Sequence, residues 1–248
     1  MIEVRDVHKA FGTQKVLQGA TLTIAKGEAV VIIGRSGGGK SVLLKHLIGL
    51  LPPDRGSVLV AGEDLACMDE RKLLQVRRRF GMLFQMAALF DSLNVYENVS
   101  FVLRRERRYT EGEIRRQVAE ALEMVELPGI EEKLPSELSG GMRKRVGLAR
   151  AIIYRPEIVL YDEPTTGLDP VAGDRIDRLI RRVWEQLHVT SIAVTHDMKS
   201  ARTISNRILM LHEGVIYADG PTDSILGSTD PILHRFVNGI STPQNEGP

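Results

Sequence analysis

The sequence predicts an α/β fold with a mostly parallel sheet at its centre, a sheet-rich opening and an inserted helical region. Three observations predict it. The apolar run Ala29–Ile33 leads into a glycine-rich turn and then a helical pattern. Two further apolar runs, at 158–161 and 191–194, lack the alternation of a half-buried strand and match strands covered on both faces. Residues 91–155, between the first run and the second, carry helical periodicity.

In chain order, residues 4–33 hold short apolar runs broken by Gly12, Gly19, Gly27 and Gly34, which predicts several strands joined by turns at those glycines. After Gly34, the spacing of Val42, Leu43, Leu44, Leu47 and Ile48 predicts a helix that ends near Gly49 and Pro52. Within the helical region Ile114, Val118, Ala121, Leu122 and Val125 share one face behind a capping box of Thr110 and Glu113, and are expected to be core. A helix is expected over 171–187 and a hairpin over 209–218. Residues 1–240 are expected to form one domain, its core made of 1–90 and 156–220, its helical subdomain of 91–155 and its helical tail of 221–240. The last eight residues, 241–248, contain two prolines and little apolar content, and are expected to be disordered.

A net charge of +1, with 26% charged residues balanced in sign, gives no global reason to expect a nucleic-acid partner. The single cysteine, Cys67, excludes an internal disulfide and Cys-rich metal sites. Charges at Glu3, Arg5 and Asp6 interrupt the apolar stretch that an export signal needs. The most compact aliphatic run, Ala29–Ile33, is far short of the roughly 18 residues of a membrane-spanning helix, so the chain is not expected to cross a bilayer alone.

Residues 34–41 (Gly-Arg-Ser-Gly-Gly-Gly-Lys-Ser) fit the phosphate-binding loop pattern after a strand and at the start of a helix. The glycines Gly34, Gly37, Gly38 and Gly39 let backbone N–H groups wrap phosphate oxygens, with Arg35, Ser36 and Val42 in the same run. Lys40 neutralises the β- and γ-oxygens and Ser41 can ligate Mg²⁺. Hydrolysis needs more, and the run at 158–161 ends in Asp162, placed for the metal shell, and Glu163, placed for the attacking water. His196 ends the run at 191–195 on the same expected sheet edge, within reach of a γ-phosphate. The other histidines, His8, His46, His188, His212 and His234, are read as structural.

Leu138-Ser139-Gly140-Gly141-Met142 resembles the signature motif of ABC ATPases, and the motifs around it stand in that family's order over residues 2–220. The resemblance implies a P-loop fold of ABC type with an antiparallel β subdomain at its N-terminus. It also implies ATP and Mg²⁺ as cofactors, Phe11 as the adenine-stacking aromatic, Gln85 as the Q-loop glutamine beside the metal, Asp169 in the D-loop and His196 as the switch histidine. Ser139, Gly140 and Gly141 would grip the γ-phosphate held by a second copy, which implies a homodimer. Phe11 and Met142 depart from the tyrosine and glutamine frequent in the family, and neither change removes a phosphate contact.

Residues 84–99 and 134–146 are similar to Mla and Mce-type lipid transport ATPases, as is the tail at 230–240. That resemblance implies a transmembrane permease and a lipid-binding MCE-domain protein as partners. It also implies a cytoplasmic location, peripheral on the cytoplasmic face of the inner (plasma) membrane through the permease. The ATPase of a small-solute importer and a non-transport ABC ATPase are the alternatives. The basic cluster Arg104, Arg105, Arg107 and Arg108, with Arg77, Arg78 and Arg79, is either a solvated face or a contact for the permease or anionic headgroups.

Overall fold

The computed structural model of the protein describes residues 1–106 and 108–240. The tail expected to be disordered, 241–248, and Arg107 of the basic cluster lie outside them.

The chain opens with two long strands, β1 (Ile2–Phe11) and β2 (Gln14–Ile24), which pair antiparallel. β3 (Ala29–Ile33) and α1 (Lys40–Leu47) follow, then the short β4 (Arg55–Val60) and β5 (Glu63–Asp64), α2 (Glu70–Arg77) and β6 (Phe80–Leu83). The helical part holds α3 (Val95–Glu106), α4 (Glu111–Met124) and α5 (Gly140–Ile152). β7 (Ile158–Asp162), α6 (Pro170–Leu187), β8 (Thr190–Val194), α7 (Met198–Ile204), the hairpin of β9 (Arg207–His212) and β10 (Val215–Pro221), and two short helices, α8 (Thr222–Leu226) and α9 (Pro231–Val237), complete it.

Two sheets result, one ordered β2-β1-β4-β5 and antiparallel, the other ordered β10-β9-β3-β8-β7-β6. In the second, every pairing from β9 through β6 is parallel and only β10 runs against its neighbour. The two faces of this sheet divide the core. Val31 and Ile33 of β3 join Val159 and Tyr161 of β7 in packing against α3 to α7, while Val30 and Ile32 join Leu160 and Ile192 on the other side. On that second side Leu43, Leu44 and Leu47 of α1 meet Ile2, Val4 and Leu17 of the antiparallel sheet, so α1 lies between the two sheets. Each central strand is buried on both faces, which is why its sequence does not alternate.

The capping box on α4 is present, with Thr110 Oγ1 accepting from the Glu113 N–H and the Glu113 carboxylate accepting from Thr110 N–H. Gly19 departs from expectation: it lies inside β2 rather than in a turn, at φ +104°, where a Cβ would stand 3.1 Å from Asp6 Oδ1. The β1–β2 register shifts beside it, so this glycine marks an irregularity in a paired strand. Helical periodicity across 91–155 also overstates the helices. Between Met124 and Gly140 the chain is loop with one 3₁₀ turn at Pro135–Glu137.

Candidate functional site

Because β3, β8 and β7 are parallel neighbours, their C-terminal ends open on one edge of the sheet, and the loops leaving them converge there. Two backbone bonds tie these loops together: Glu163 N–H to Val194 O at 3.0 Å and Thr195 N–H to Ile32 O at 3.3 Å. The strand order alone brings Lys40 and Ser41 (after β3), Asp162 and Glu163 (end of β7) and His196 (after β8) to one place.

The loop after β3 is shaped by its glycines. Gly39, the residue before α1, sits at φ +95°, and a Cβ on it would be 2.9 Å from Val16 Cγ1. At Gly34 a Cβ would meet the Leu211 carbonyl at 2.4 Å. The loop curls over the start of α1, leaving backbone N–H groups at the helix N-terminus beside a cleft of about 450 Å³. Phe11, Val16, Ser36, Gly37, Gly39, Lys40, Ser41, Val42, Gln85, Glu163, Thr166 and His196 line it.

Lys40 is 6% exposed and donates from Nζ to the carbonyls of Gly34 (2.8 Å) and Arg35 (3.1 Å). Burial lowers its pKa, opposed by the charge of Glu163, whose Oε1 is 3.7 Å from Nζ. The other Glu163 oxygen, Oε2, lies 2.8 Å from His196 Nδ1 and accepts from Thr166 Oγ1 at 3.1 Å. Glu163 itself has φ +48°, a left-handed conformation that costs a non-glycine residue on the order of 1–2 kcal/mol and persists where its surroundings enforce it. Behind the loop, Ser41 Oγ donates to Asp162 Oδ1 at 2.9 Å. This hydroxyl and carboxylate, with the Gln85 amide on the cleft wall, form an all-oxygen donor set of the kind Mg²⁺ takes together with phosphate oxygens.

Of the residues singled out in the sequence, Phe11, Ser36, Gly37, Gly39, Lys40, Ser41, Val42, Gln85, Glu163 and His196 line the cleft, and Asp162 stands behind it. Gly34 and Gly38 shape the loop from beneath; a Cβ on Gly38 would meet the Arg35 carbonyl at 2.9 Å. Arg35 lines a separate cleft with His212, Arg235 and Phe236. Ser139, Gly140, Gly141 and Asp169 are not part of the wall within one chain. Ser139 caps α5, accepting from Met142 N–H at 3.3 Å, and Asp169 caps α6, accepting from Val171 N–H and Ala172 N–H. The two caps pack together, with Leu168 and Ala172 each 3.5 Å from where a Cβ would stand on Gly140 and Gly141.

Thr166, Val16 and Lys144 were not singled out in the sequence. Thr166 lies three residues past Glu163, the spacing by which a hydroxyl reaches back to a carboxylate, and Val16 enters only through the fold of β2. Lys144 is 5% exposed and donates to the Glu163 carbonyl at 3.1 Å; burial pushes its ammonium down to about 8 against the pull of Glu163 and Asp162. Much of the basic cluster is engaged in ion pairs: Arg104 with Glu111, Arg108 with Glu106, Arg77 with Glu70 and Arg79 with Glu157.

A parallel sheet with a phosphate-binding loop, a metal-suited hydroxyl–carboxylate pair and a carboxylate held beside a histidine defines a nucleotide-hydrolysing P-loop protein. Comparison with known proteins narrows this. The ABC transporter family model matches residues 17–166. The chain is 45% identical over 238 residues to “Probable ribonucleotide transport ATP-binding protein mkl” of Mycobacterium leprae, covering 96% of this chain and 69% of that one. It is 38% identical over 241 residues to the intermembrane phospholipid transport system ATP-binding protein MlaF of Haemophilus influenzae, covering 97% and 91%. Its fold matches a dimeric ATP-binding cassette in a post-hydrolysis state with ADP and Pi at a TM-score of 0.82 and 33% identity, over 90% of this chain and 99% of that one. The chain belongs to the ABC transporter family and is an ATP-binding, ATP-hydrolysing subunit of that family, with Mg-ATP as its cofactor. Among the described residues no helix is long and apolar enough to cross a membrane.

Proposed function

We propose that two copies of this chain close head to tail around two molecules of Mg-ATP and so drive a membrane permease that moves phospholipid or a related lipid, with a lipid-binding MCE-domain protein as a further partner. The observation that carries the motor part is the placing of Glu163, whose carboxylate bridges Lys40 and His196 in the cleft over the phosphate-binding loop.

In this reading residues 34–42 wrap the phosphates and Phe11 stacks on the adenine. Ser41, Gln85 and Asp162 would hold Mg²⁺, which would supply charge neutralisation to the phosphates. Glu163 takes a proton from water as the water oxygen bonds to the γ-phosphorus and the bond to the ADP oxygen breaks. His196, 2.8 Å from that carboxylate, orients it and reaches the γ-phosphate. Ser139, Gly140 and Gly141 grip the γ-phosphate of the opposite copy, and Asp169 fixes the loop beside them. That the capped start of α5 is absent from its own chain's cleft supports a composite site, because a second copy is then needed to bring both cradles to one triphosphate.

The lipid reading rests on the likeness to MlaF over most of its length and on the motif resemblance at 84–99 and 134–146. A groove of about 620 Å³ beside the helical part, with Leu74, Arg78, Phe101 and Arg105 on its walls, suits an amphipathic helix of the permease.

Glu163→Gln tests the motor. Turnover is expected to fall roughly 10²- to 10⁴-fold while ATP binding survives and dimers accumulate with ATP; phosphate release at the parental rate would refute the assignment. For the cargo, ATPase activity of the chain reconstituted with its permease in proteoliposomes is expected to respond to phospholipid. Stimulation by ribonucleotides alone would overturn the lipid reading.

A further inference from the structure

Helix α5 touches two loops of the cleft through its side chains. At its start Ser139 caps the helix. Five residues on, Lys144 donates to the carbonyl of Glu163 at 3.1 Å. At Gly147 the helix lies so close to the end of β6 and the Q-loop that a Cβ would stand 3.0 Å from Leu83 Cδ1 and 3.3 Å from Ala87 Cβ. One turn further Arg150 donates to the carbonyls of Ala88 and Ala87, both at 2.7 Å. Positions 144, 147 and 150 are three residues apart and share one side of the helix.

The residues held in this way are unusual. Glu163 (φ +48°), Ala87 (φ +60°) and Ala88 (φ +49°) are all non-glycine residues in the left-handed region, and each offers its carbonyl to a cation on α5. Such conformations persist where outside contacts fix them. Lys144 is 5% exposed, so its stem fills a packed space and it has little freedom to move independently of the helix.

We propose that Lys144 is a positioning residue that, with Arg150, makes α5 a rigid lever between the two nucleotides of the dimer. Nucleotide of the opposite copy, gripped at Ser139, sets the position of α5; through Lys144 the helix sets Glu163, which acts on the nucleotide of its own chain. Filling one composite site thereby arms the other. This rests on the head-to-tail reading above.

The experiment measures steady-state ATPase rate against ATP concentration on the full chain, in parental form and as Lys144→Met and Lys144→Gln, with MgADP affinity by calorimetry and melting temperature alongside. The parental chain is expected to show a Hill coefficient above one and up to about two. In K144M, which keeps most of the apolar stem but ends one atom short and has no donor, kcat is expected to fall roughly 10- to 100-fold, the scale of a small misplacement of a reacting group. Its Hill coefficient is expected to fall to about one, with MgADP affinity unchanged. K144Q, which keeps a donor one bond short of the Nζ position and can still donate towards that carbonyl, is expected to keep cooperativity above that of K144M. Parental kcat and Hill coefficient in K144M overturn the proposal, as does a parental chain without cooperativity. Should K144M not fold, Arg150→Lys is read the same way, since it keeps the charge and loses one of the two bonds to the Q-loop; parental cooperativity there overturns the proposal. Failure of the underlying reading shows elsewhere, as parental turnover in E163Q or as ATP-dependent dimers in Ser139→Arg, and neither result depends on Lys144.

Discussion

Asp177 of α6 is a carboxyl group 3% exposed, with one oxygen accepting from Ser200 Oγ at 2.8 Å and Oδ1 without a hydrogen-bond partner among the described residues. Burial, aided by the charges of Asp197 and Asp174 and opposed by the Ser200 bond and by Lys199, pushes its pKa from 3.8 up to about 7. Between those values the folded chain keeps a proton that the unfolded chain has released, so stability falls as pH rises from 3.8 towards 7 and stays at its lower level above that. At about 1.4 kcal/mol per pH step, the burden above pH 7 is about 4 kcal/mol. Asp177→Asn cannot ionise, but it places an amide N–H₂ where Oδ1 has no partner, which costs about 1–3 kcal/mol. The variant is therefore expected to be more stable than the parent at pH 8 by roughly 1–3 kcal/mol. Its advantage should shrink by about 3 kcal/mol on going to pH 5, where the folded parent is protonated. Urea unfolding of both nucleotide-free chains at pH 5 and pH 8 gives that difference with the background titration cancelled. A difference in stability that does not change between the two pH values would show that Asp177 does not titrate with folding in this way.

Gly81→Ala puts a Cβ 2.1 Å from the Ala151 carbonyl, so β6 can no longer approach α5, and a loss of roughly 1–3 kcal/mol or more in chemical denaturation is expected; full stability would show that the two elements separate freely. Phe11→Ala removes a half-exposed ring from the cleft mouth, and KM for ATP is expected to rise roughly 5- to 100-fold with kcat little changed, on the scale of one lost base–aromatic stack. An unchanged KM would remove Phe11 from the adenine site.

The parts whose physics is local are legible in the linear chain. A glycine run between a buried strand and a helix has few uses other than wrapping an anion, so residues 34–41 could be read directly. Central strands revealed themselves by unbroken apolar runs, and α4 by its capping box and apolar face, since these patterns have the periods of the elements themselves. Gly19 reads as a turn residue in the sequence because a glycine at a turn and a glycine at an irregular strand position look alike without the partner strand. Long-range packing sets which carbonyls receive Lys144 and Arg150, that Glu163 sits at φ +48° between Lys40 and His196, and that Asp177 is buried against Ser200. Those contacts join residues 19 to 123 positions apart, or depend on a backbone angle, and a linear pattern fixes neither, because burial and charge are properties of what the folded chain places around a residue.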